Sequence, residues 1–556
     1  MTLHAEMARA GVLVLLFAGS GCGLILGLND FEDASPSGGQ TSGDSGGTDT
    51  CPPAISERCY SGPPGTMDVG LCRSGVRTCD SSDETSGTCQ DEVLPQQESC
   101  ASTEDENCDG FDCTIWSRVV HATNNATRIT SISINKDNNI FLAGEFKDTV
   151  QFGTEPLISA NRIEESNLDA FIASFDSTGN HRWSRQFGDQ MNQSSTSTCV
   201  DGSGSIILAG INSGTINLGD RNIGPGIFVA KFDANGVHVW SRGVHGAPER
   251  EPSLLAGIPK VDCTPDGDVF LAGGFAGTIQ FDDATFSTYP TDTYDIYIAR
   301  IDGSTGSWSA ADGGWSRQFG GPGDEGVIDF AVHSSKGAII TGNFTQGIEF
   351  GNFSSAIDSG MYLASIDNTG KPTWVRSFTN ARPSSLSIDA LGNSSITGTY
   401  EHPVDFGGGE LPEWNRNQMT FATQFDISGI HRWSRGLLGQ ITMSSISVDP
   451  LNNVTLFGNA SYSLRIDDNE ILTVRDFPSA LAIKLNPEGK TLWKRWFPTA
   501  SNHAITAIIA ETDLRGENII SGRAINTGSS TATTIDLGTG PQRTGEYSFF
   551  ITKLGN

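Results

Sequence analysis

From Thr114 onward the chain alternates short apolar runs with polar turns, and the same order recurs to the end of the sequence. In the first unit Ile129-Thr-Ser-Ile-Ser-Ile134, short and rich in β-branched residues, reads as a first strand. The polar turn Lys136-Asp-Asn-Asn139 leads to Ile140-Phe-Leu-Ala-Gly-Glu-Phe146, a second strand. A longer connection leads to a third strand, Ala170–Phe175. The turn Asp176-Ser-Thr-Gly-Asn180 then closes a hairpin with a fourth, His181-Arg-Trp-Ser-Arg185. Val150-Gln-Phe-Gly153 reads as a continuation of the second strand past a bend, with a bulge at Gly144. The strands are partly apolar on both faces, as expected of sheets packed between neighbouring layers.

Three markers repeat in phase. Trp-x-Arg occurs at Trp116, Trp183, Trp240, Trp315, Trp374, Trp433 and Trp493, in steps of 67, 57, 75, 59, 59 and 60 residues. An apolar-x-Gly triplet ends at Gly144, Gly210, Gly273, Gly342, Gly398, Gly458 and Gly522. A run such as Phe171-Ile-Ala-Ser-Phe-Asp176 appears in every unit, last as Phe549–Leu554. The final unit has no Trp-x-Arg strand of its own, while Thr114-Ile-Trp-Ser-Arg-Val119 precedes the first unit without partners. One spare strand at the front and one missing at the back predict a circle, because closure removes exposed sheet edges. The expected fold is all-β: a seven-bladed β-propeller over 114–556 with N-terminal strand closure, preceded by a small disulfide-rich module. The Trp should fill the space between blades, and the Arg should bond a neighbouring turn carboxylate or carbonyl.

These repeats resemble the bacterial β-propeller repeat family of cell-surface and secreted proteins, the SBBP repeats, over about 440 residues. Leu451-Asn-Asn in the sixth unit and Thr531–Gly538 in the seventh depart most from its pattern. The resemblance implies a scaffold or binding role and no particular catalytic residues.

The N-terminal part reads differently. Gly11–Ala18 has the length of a signal-peptide core and is too short for a permanent membrane span. It ends in Gly19-Ser-Gly-Cys22, which resembles the lipobox of bacterial lipoproteins, although Gly19 stands where Leu is usual. That resemblance implies a signal peptide over 1–21, lipidation of Cys22, and anchoring to the cell envelope at the outer membrane or cell surface. Residues 22–50 are rich in Ser, Gly, Thr and Asp and predict a flexible tether. Residues 51–113 crowd eight cysteines, Cys51, Cys59, Cys72, Cys79, Cys89, Cys100, Cys108 and Cys113, a disulfide framework whose pairing spacing alone leaves open. This segment resembles modules of surface lipoproteins and metal-linked surface proteins of Gram-negative bacteria. Cys199 and Cys263 lie at nearby positions on the first strands of the second and third units. Their one-residue offset lets them bridge only if a bulge corrects it.

The net charge of −30 argues against nucleic acid as a partner, since phosphate binding needs a basic face. Asp105-Glu-Asn107-Cys-Asp109-Gly110-Phe-Asp112 matches the first half of a calcium loop, with Asp105, Asn107, Asp109 and Asp112 as candidate ligands. The bidentate Glu of such loops is replaced by Trp116, and an acidic turn stapled by disulfides is the competing reading. His181, His238 and His431 recur at the turn into the fourth strand, which marks them as turn residues. No Ser-His-Asp or zinc set follows from the spacing. The connections between second and third strands vary most in length, and variable loops on a rigid scaffold are where binding resides. The expected function is a surface-anchored scaffold binding protein or carbohydrate. The alternative is a propeller-based enzyme: a hydrolase, a lyase or a quinone-dependent oxidoreductase.

Overall fold

The computed structural model describes residues 56–63, 66–78, 89–96, 105, 106, 108 and 114–555, apart from 161–166, 247–257, 282–283, 414–418, 467–470, 474–478, 498–502, 527–532, 536, 538, 540, 541 and 546. The described residues belong to one compact unit, Ser56–Thr78 with Thr88–Asn556; a second unit, Met1–Ile55 with Cys79–Gly87, lies outside them.

The protein is all-β, and its only helical turn among the described residues is the 3-10 segment Ala310–Asp312. The first group of four antiparallel strands is Arg128–Ile134, Ile140–Phe146, Asp169–Phe175 and His181–Phe187. The second is Gln193–Val200, Ile206–Asn212, Gly226–Phe232 and His238–Val244; the third is Lys260–Cys263, Val269–Ala276, Tyr294–Ile301 and Trp315–Phe319. The fourth is Glu325–His333, Gly337–Phe344, Gly360–Ile366 and Pro372–Phe378. The fifth, starting with Ala381–Ile388, Ser394–Tyr400 and Met419–Phe425, shares the long strand His431–Val448 with the sixth. The sixth continues through Val454–Arg465, Ser479–Leu485 and Thr491–Phe497.

The seventh group holds His503–Thr512, Asn518–Asn526 and Tyr547–Leu554, and its fourth strand is Thr114–Ala122, antiparallel to Tyr547–Leu554 with Trp116 opposite Lys553. The first strand of each group touches that of the next, and His503–Thr512 touches Arg128–Ile134, so the contacts run in a cycle.

Apolar packing lies in the seams between groups. One cluster joins Trp116, Ile519, Phe549 and Ile551 of the seventh group to Ile140, Leu142, Phe171 and Ala173 of the first. Third strands such as Asp169–Phe175, Gly226–Phe232 and Met419–Phe425 are buried along their whole length. Each fully buried Phe or Ile stabilises by about 1.5–3 kcal/mol.

The Trp-x-Arg marker is a seam device. The indole N–H of Trp116 donates to the Ser177 carbonyl at 3.0 Å, in the third-to-fourth-strand turn of the next group. Trp183, Trp240, Trp315 and Trp374 do the same to Ala234, Gly303, Asn368 and Ile427. The Arg side chains bond carbonyls of the same turns: Arg118 reaches Gly179, Arg317 reaches Thr369, Arg376 reaches Gly429 and Arg435 reaches Gly489. Arg495 reaches the Gly555 carbonyl, just past the third strand of the seventh group. Of the two partners expected for Arg, the carbonyl is therefore the one found. Gly179 has φ +78°, and a Cβ there would sit 2.7 Å from the Trp116 ring.

The apolar-x-Gly marker has a different cause from the one expected. Gly144 does not bulge. The bulge lies opposite, between Ile129 and Ser131, and brings the Arg128 carbonyl to within 1.9 Å of where a Gly144 Cβ would be. Nor does Thr149–Gln151 continue the second strand. It turns away to pair with Thr114–Ala122 of the preceding group, Ala122 opposite Val150. Equivalent ribbons reach back elsewhere, Gln280 N–H donating to the His245 carbonyl and Glu349 N–H to Gly320. The connections between second and third strands thus clamp the previous group's outer strand. In the sixth unit Asn452, with φ +64°, fills the left-handed place that glycine takes in other turns.

Disulfides join Cys59 to Cys89 and Cys72 to Cys108 in the N-terminal part, where Ser56–Cys59 pairs with Gly75–Thr78. Cys22, Cys51, Cys79, Cys100 and Cys113 lie outside the described residues. A third bridge joins Cys199 and Cys263 across the seam of the second and third groups. The offset between them is absorbed at the seam. Ser197 Oγ donates to the Val261 carbonyl, which sets neighbouring first strands at the 64-residue spacing that the cysteines need.

Candidate functional site

Two concave sites stand out. The first is an axial channel of about 590 Å³ to which the first strands of all seven groups contribute. Its wall is stitched by side chains that cross to the next first strand. Ser131 Oγ accepts from Thr198 N–H, Ser197 donates to Val261, and Asp262 Oδ2 accepts from Val332 N–H at 2.8 Å. Asp329 Oδ2 accepts from Leu386 N–H at 2.9 Å and from Ser385 Oγ at 3.1 Å, and Ser445 Oγ bonds both backbone groups of Ala510. Most of these stitching residues stand four positions before the turn residue that follows, as Ser131 does before Asn135 and Ser445 before Asp449. That spacing is readable in the sequence, though its role is not, because nothing local says that first strands lie edge to edge.

The channel carries charge of both signs. Lys260 Nζ lies 3.8 Å from Asp329 Oδ1, and Arg128 and Arg523 also line the channel. Removal from bulk water, aided by repulsion from Asp329, raises Asp262 to about 7. Removal from water, with Asp262 and Asp329 repelling it, raises Glu511 to about 8. Both groups therefore exchange protons near neutral pH.

The second site is a cleft of about 340 Å³ at the seam of the fourth and fifth groups. It opens on the face that carries the connections between second and third strands. Asp324 and Asn343 come from one side, and Arg382, Tyr400, Glu401 and His402 from the other. Tyr400 donates its hydroxyl to the Pro412 carbonyl at 2.7 Å, which fixes its ring in the wall. Asp324 Oδ1 accepts from Tyr294 N–H at 3.2 Å. The Asn343 side-chain oxygen is buried without a hydrogen-bond partner among the described residues. Arg382, Glu401 and His402 are exposed, so the cleft offers a cation, a carboxylate and an imidazole beside an unsatisfied amide. These residues belong to no sequence motif. They sit at the ends of four different strands, and only the sheet packing collects them.

The residues singled out in the sequence do not assemble here. Asp105 lies with its carboxylate against Gly70, and its carbonyl accepts from Leu71 N–H; Asn107, Asp109 and Asp112 lie outside the described residues. His181, His238 and His431 lie in separate groups, each edge-on to a phenylalanine of its own hairpin: Phe175, Phe232 and Phe425. Burial lowers the pKa of His181 and His431. No group of three or more His, Cys, Asp or Glu side chains among the described residues is placed to hold a metal ion.

No family model matches the chain, and no curated protein sequence does. Solved structures of β-propeller type resemble it. The Dos1 propeller is similar with a TM-score of 0.40 at 10% identity, covering 79% of this chain and 94% of that one. The polysaccharide lyase Uly1 gives 0.38 at 9%, covering 78% and 91%. The gluconolactonase XC5397 from Xanthomonas campestris gives 0.25 at 10%, covering 78% and 97%. At these levels the likeness carries no argument about activity.

Proposed function

We propose that this is an exported lipoprotein, anchored through Cys22 to the outer membrane or cell surface, whose strands form a closed seven-bladed β-propeller of the SBBP-like repeat type. Its residues 114–556 would be the propeller, standing on the tether 22–50 and the disulfide module 51–113. In this reading the protein is a binding scaffold that takes a polar ligand, carbohydrate or protein surface, in the cleft between the fourth and fifth groups. The observation that carries it is the contrast between faces. On the short-turn face the turn carbonyls are taken up by Trp and Arg of the neighbouring group. On the other face Arg382, Glu401 and His402 stand exposed around a cavity of ligand size.

Glycan and protein arrays probed with the purified full chain test this. Binding should fall about tenfold or more in Arg382→Ala and Glu401→Ala, with melting unchanged. Equal binding by wild type and both variants would remove the cleft from the proposal. A second reading, an enzyme acting in the channel, is favoured by the near-neutral titration of Asp262 and Glu511. It requires turnover of a polysaccharide or lactone that Glu511→Gln abolishes. Calcium at Asp105, Asn107, Asp109 and Asp112 remains a further part of the proposal for the module.

A further inference from the structure

The first-to-second and third-to-fourth seams are built alike but filled differently. In each, a third strand carries a carboxylate as its first or second residue, Asp169 or Asp295, and the next group begins with a fully buried side chain, Gln193 or Glu325. In the earlier seam the amide of Gln193 is satisfied on both ends. Its Oε1 accepts from Asp189 N–H at 3.0 Å, and its Nε2 donates to Asp189 Oδ1 at 2.7 Å and Asn212 Oδ1 at 3.1 Å.

In the later seam the two acceptors are gone, because Gly321 stands in place of Asp189 and Phe344 in place of Asn212. The amide has become a carboxylate. Glu325 Oε2 accepts from Gly321 N–H at 2.9 Å, but Oε1 is buried with no hydrogen-bond partner among the described residues. Asp295 is in the same state: Gln318 donates to Oδ2 at 2.5 Å, while Oδ1 is buried and unpartnered. Both orphan oxygens lie against consecutive glycines. A Cβ on Gly320 would come 2.3 Å from Asp295 Oδ1, and one on Gly321 would come 3.3 Å from Glu325 Oε1 and 2.5 Å from the Gly347 carbonyl oxygen. Two buried carboxylate oxygens and a backbone carbonyl therefore crowd two adjacent glycines, at places that a side chain would otherwise occupy. The other charged group acting on Glu325 is Asp324, which adds to the negative charge.

We propose that Asp295, Glu325 and the Gly347 carbonyl hold a hard divalent cation, Ca²⁺, at this seam. Ca²⁺ takes carboxylate and carbonyl oxygens in irregular sets and completes its shell with water, which suits two carboxylates and a carbonyl. Without a cation the carboxylates hold protons more tightly than usual: burial, with Asp295 and Asp324 repelling it, raises Glu325 to about 8, and burial raises Asp295 to about 6. None of the three proposed ligands lines the cleft or the channel, so the proposal stands apart from the function argued above.

The test is thermal melting of the purified full chain, stripped with chelator and then titrated with CaCl₂. The wild type should gain about 3 °C or more at saturation. Glu325→Gln and Asp295→Asn should lose that gain. The fold accepts the first of these, since Gln193 already occupies the matching place. The variant Asp105→Ala/Asp109→Ala, altered in the acidic loop, should keep the gain. No gain in the wild type, or a gain that survives both seam substitutions, overturns the proposal, and a gain lost only in the loop variant assigns the calcium to the loop instead.

Discussion

Asp201 and Asp513 begin turns between first and second strands, while Asp262 and Glu511 stand two residues before such turns, in the channel wall. The four carboxyls are close in register and opposite in behaviour. Burial works to raise Asp201, but the Lys231 ammonium at 2.7 Å and donors from Ser203 and Ser205 outweigh it and hold the carboxyl below its usual range. Asp513 is held low in the same way by Lys553 at 2.9 Å and the N–H groups of Arg515 and Glu517. In the channel burial wins, because no lysine or arginine among the described residues forms an ion pair with Asp262 or Glu511. Asp201 and Asp513 are thus structural anions with built-in counter-ions. Asp262 and Glu511 exchange protons near neutral pH, which is the property a site needs and a scaffold does not.

The sharpest way to break this contrast is to turn a turn carboxylate into an uncompensated one. Lys484 Nζ lies 2.9 Å from Asp449 Oδ2, with both side chains almost wholly buried. Lys484→Ala should cost about 3–5 kcal/mol in urea unfolding, and a loss below 1 kcal/mol would show that the turn donors alone suffice.

A smaller effect, of opposite sign, is expected in the channel. Glu511 is neutral in the fold and ionised in the unfolded chain above the ordinary glutamate value of 4.5, so its contribution is complete below that pH and is lost as pH rises through about 8. Glu511→Gln should therefore match wild type near pH 5 and exceed it by roughly 2 kcal/mol near pH 9. Parallel unfolding midpoints at both pH values would deny the shift.

The smallest effect belongs to an exposed turn. Asp176 Oδ1 accepts from Thr178 and Asn180 N–H groups, a role that Asn135 and Asn486 already fill elsewhere. Asp176→Asn should change stability by less than about 0.5 kcal/mol.

Much of the fold was legible because its signals are local and repeated. Short apolar runs bounded by polar turns placed Ile140–Phe146 at the bounds observed, and the spare Thr114–Val119 segment found its partner at Phe549–Leu554. The meaning of Gly144 was not legible. It answers to a bulge on a different strand and to the Phe171 ring, and neither is adjacent in sequence. The same holds for Val150–Gly153, whose partner strand lies in another group. The cleft was invisible for the same reason: Asp324, Asn343, Arg382 and Glu401 become neighbours only once two sheets pack. What sequence patterning conveys is the unit, while the seams between units are tertiary and follow from side-chain volume and the spacing of first strands.

The pairing of Thr114–Ala122 with Tyr547–Leu554 bears on how the chain acquires its shape. Thr552 Oγ1 donates to the Trp116 carbonyl across 436 residues of sequence. A ribbon made early must wait, unpaired, until its partner is synthesised, and contacts so distant along the chain form slowly. During that interval Thr114–Ala122 presents a bare edge to any other nascent β-strand. Assembly should therefore be the vulnerable stage of this protein's life, and holding the early ribbon apart from other chains should raise the yield of refolding more than any change in the finished structure.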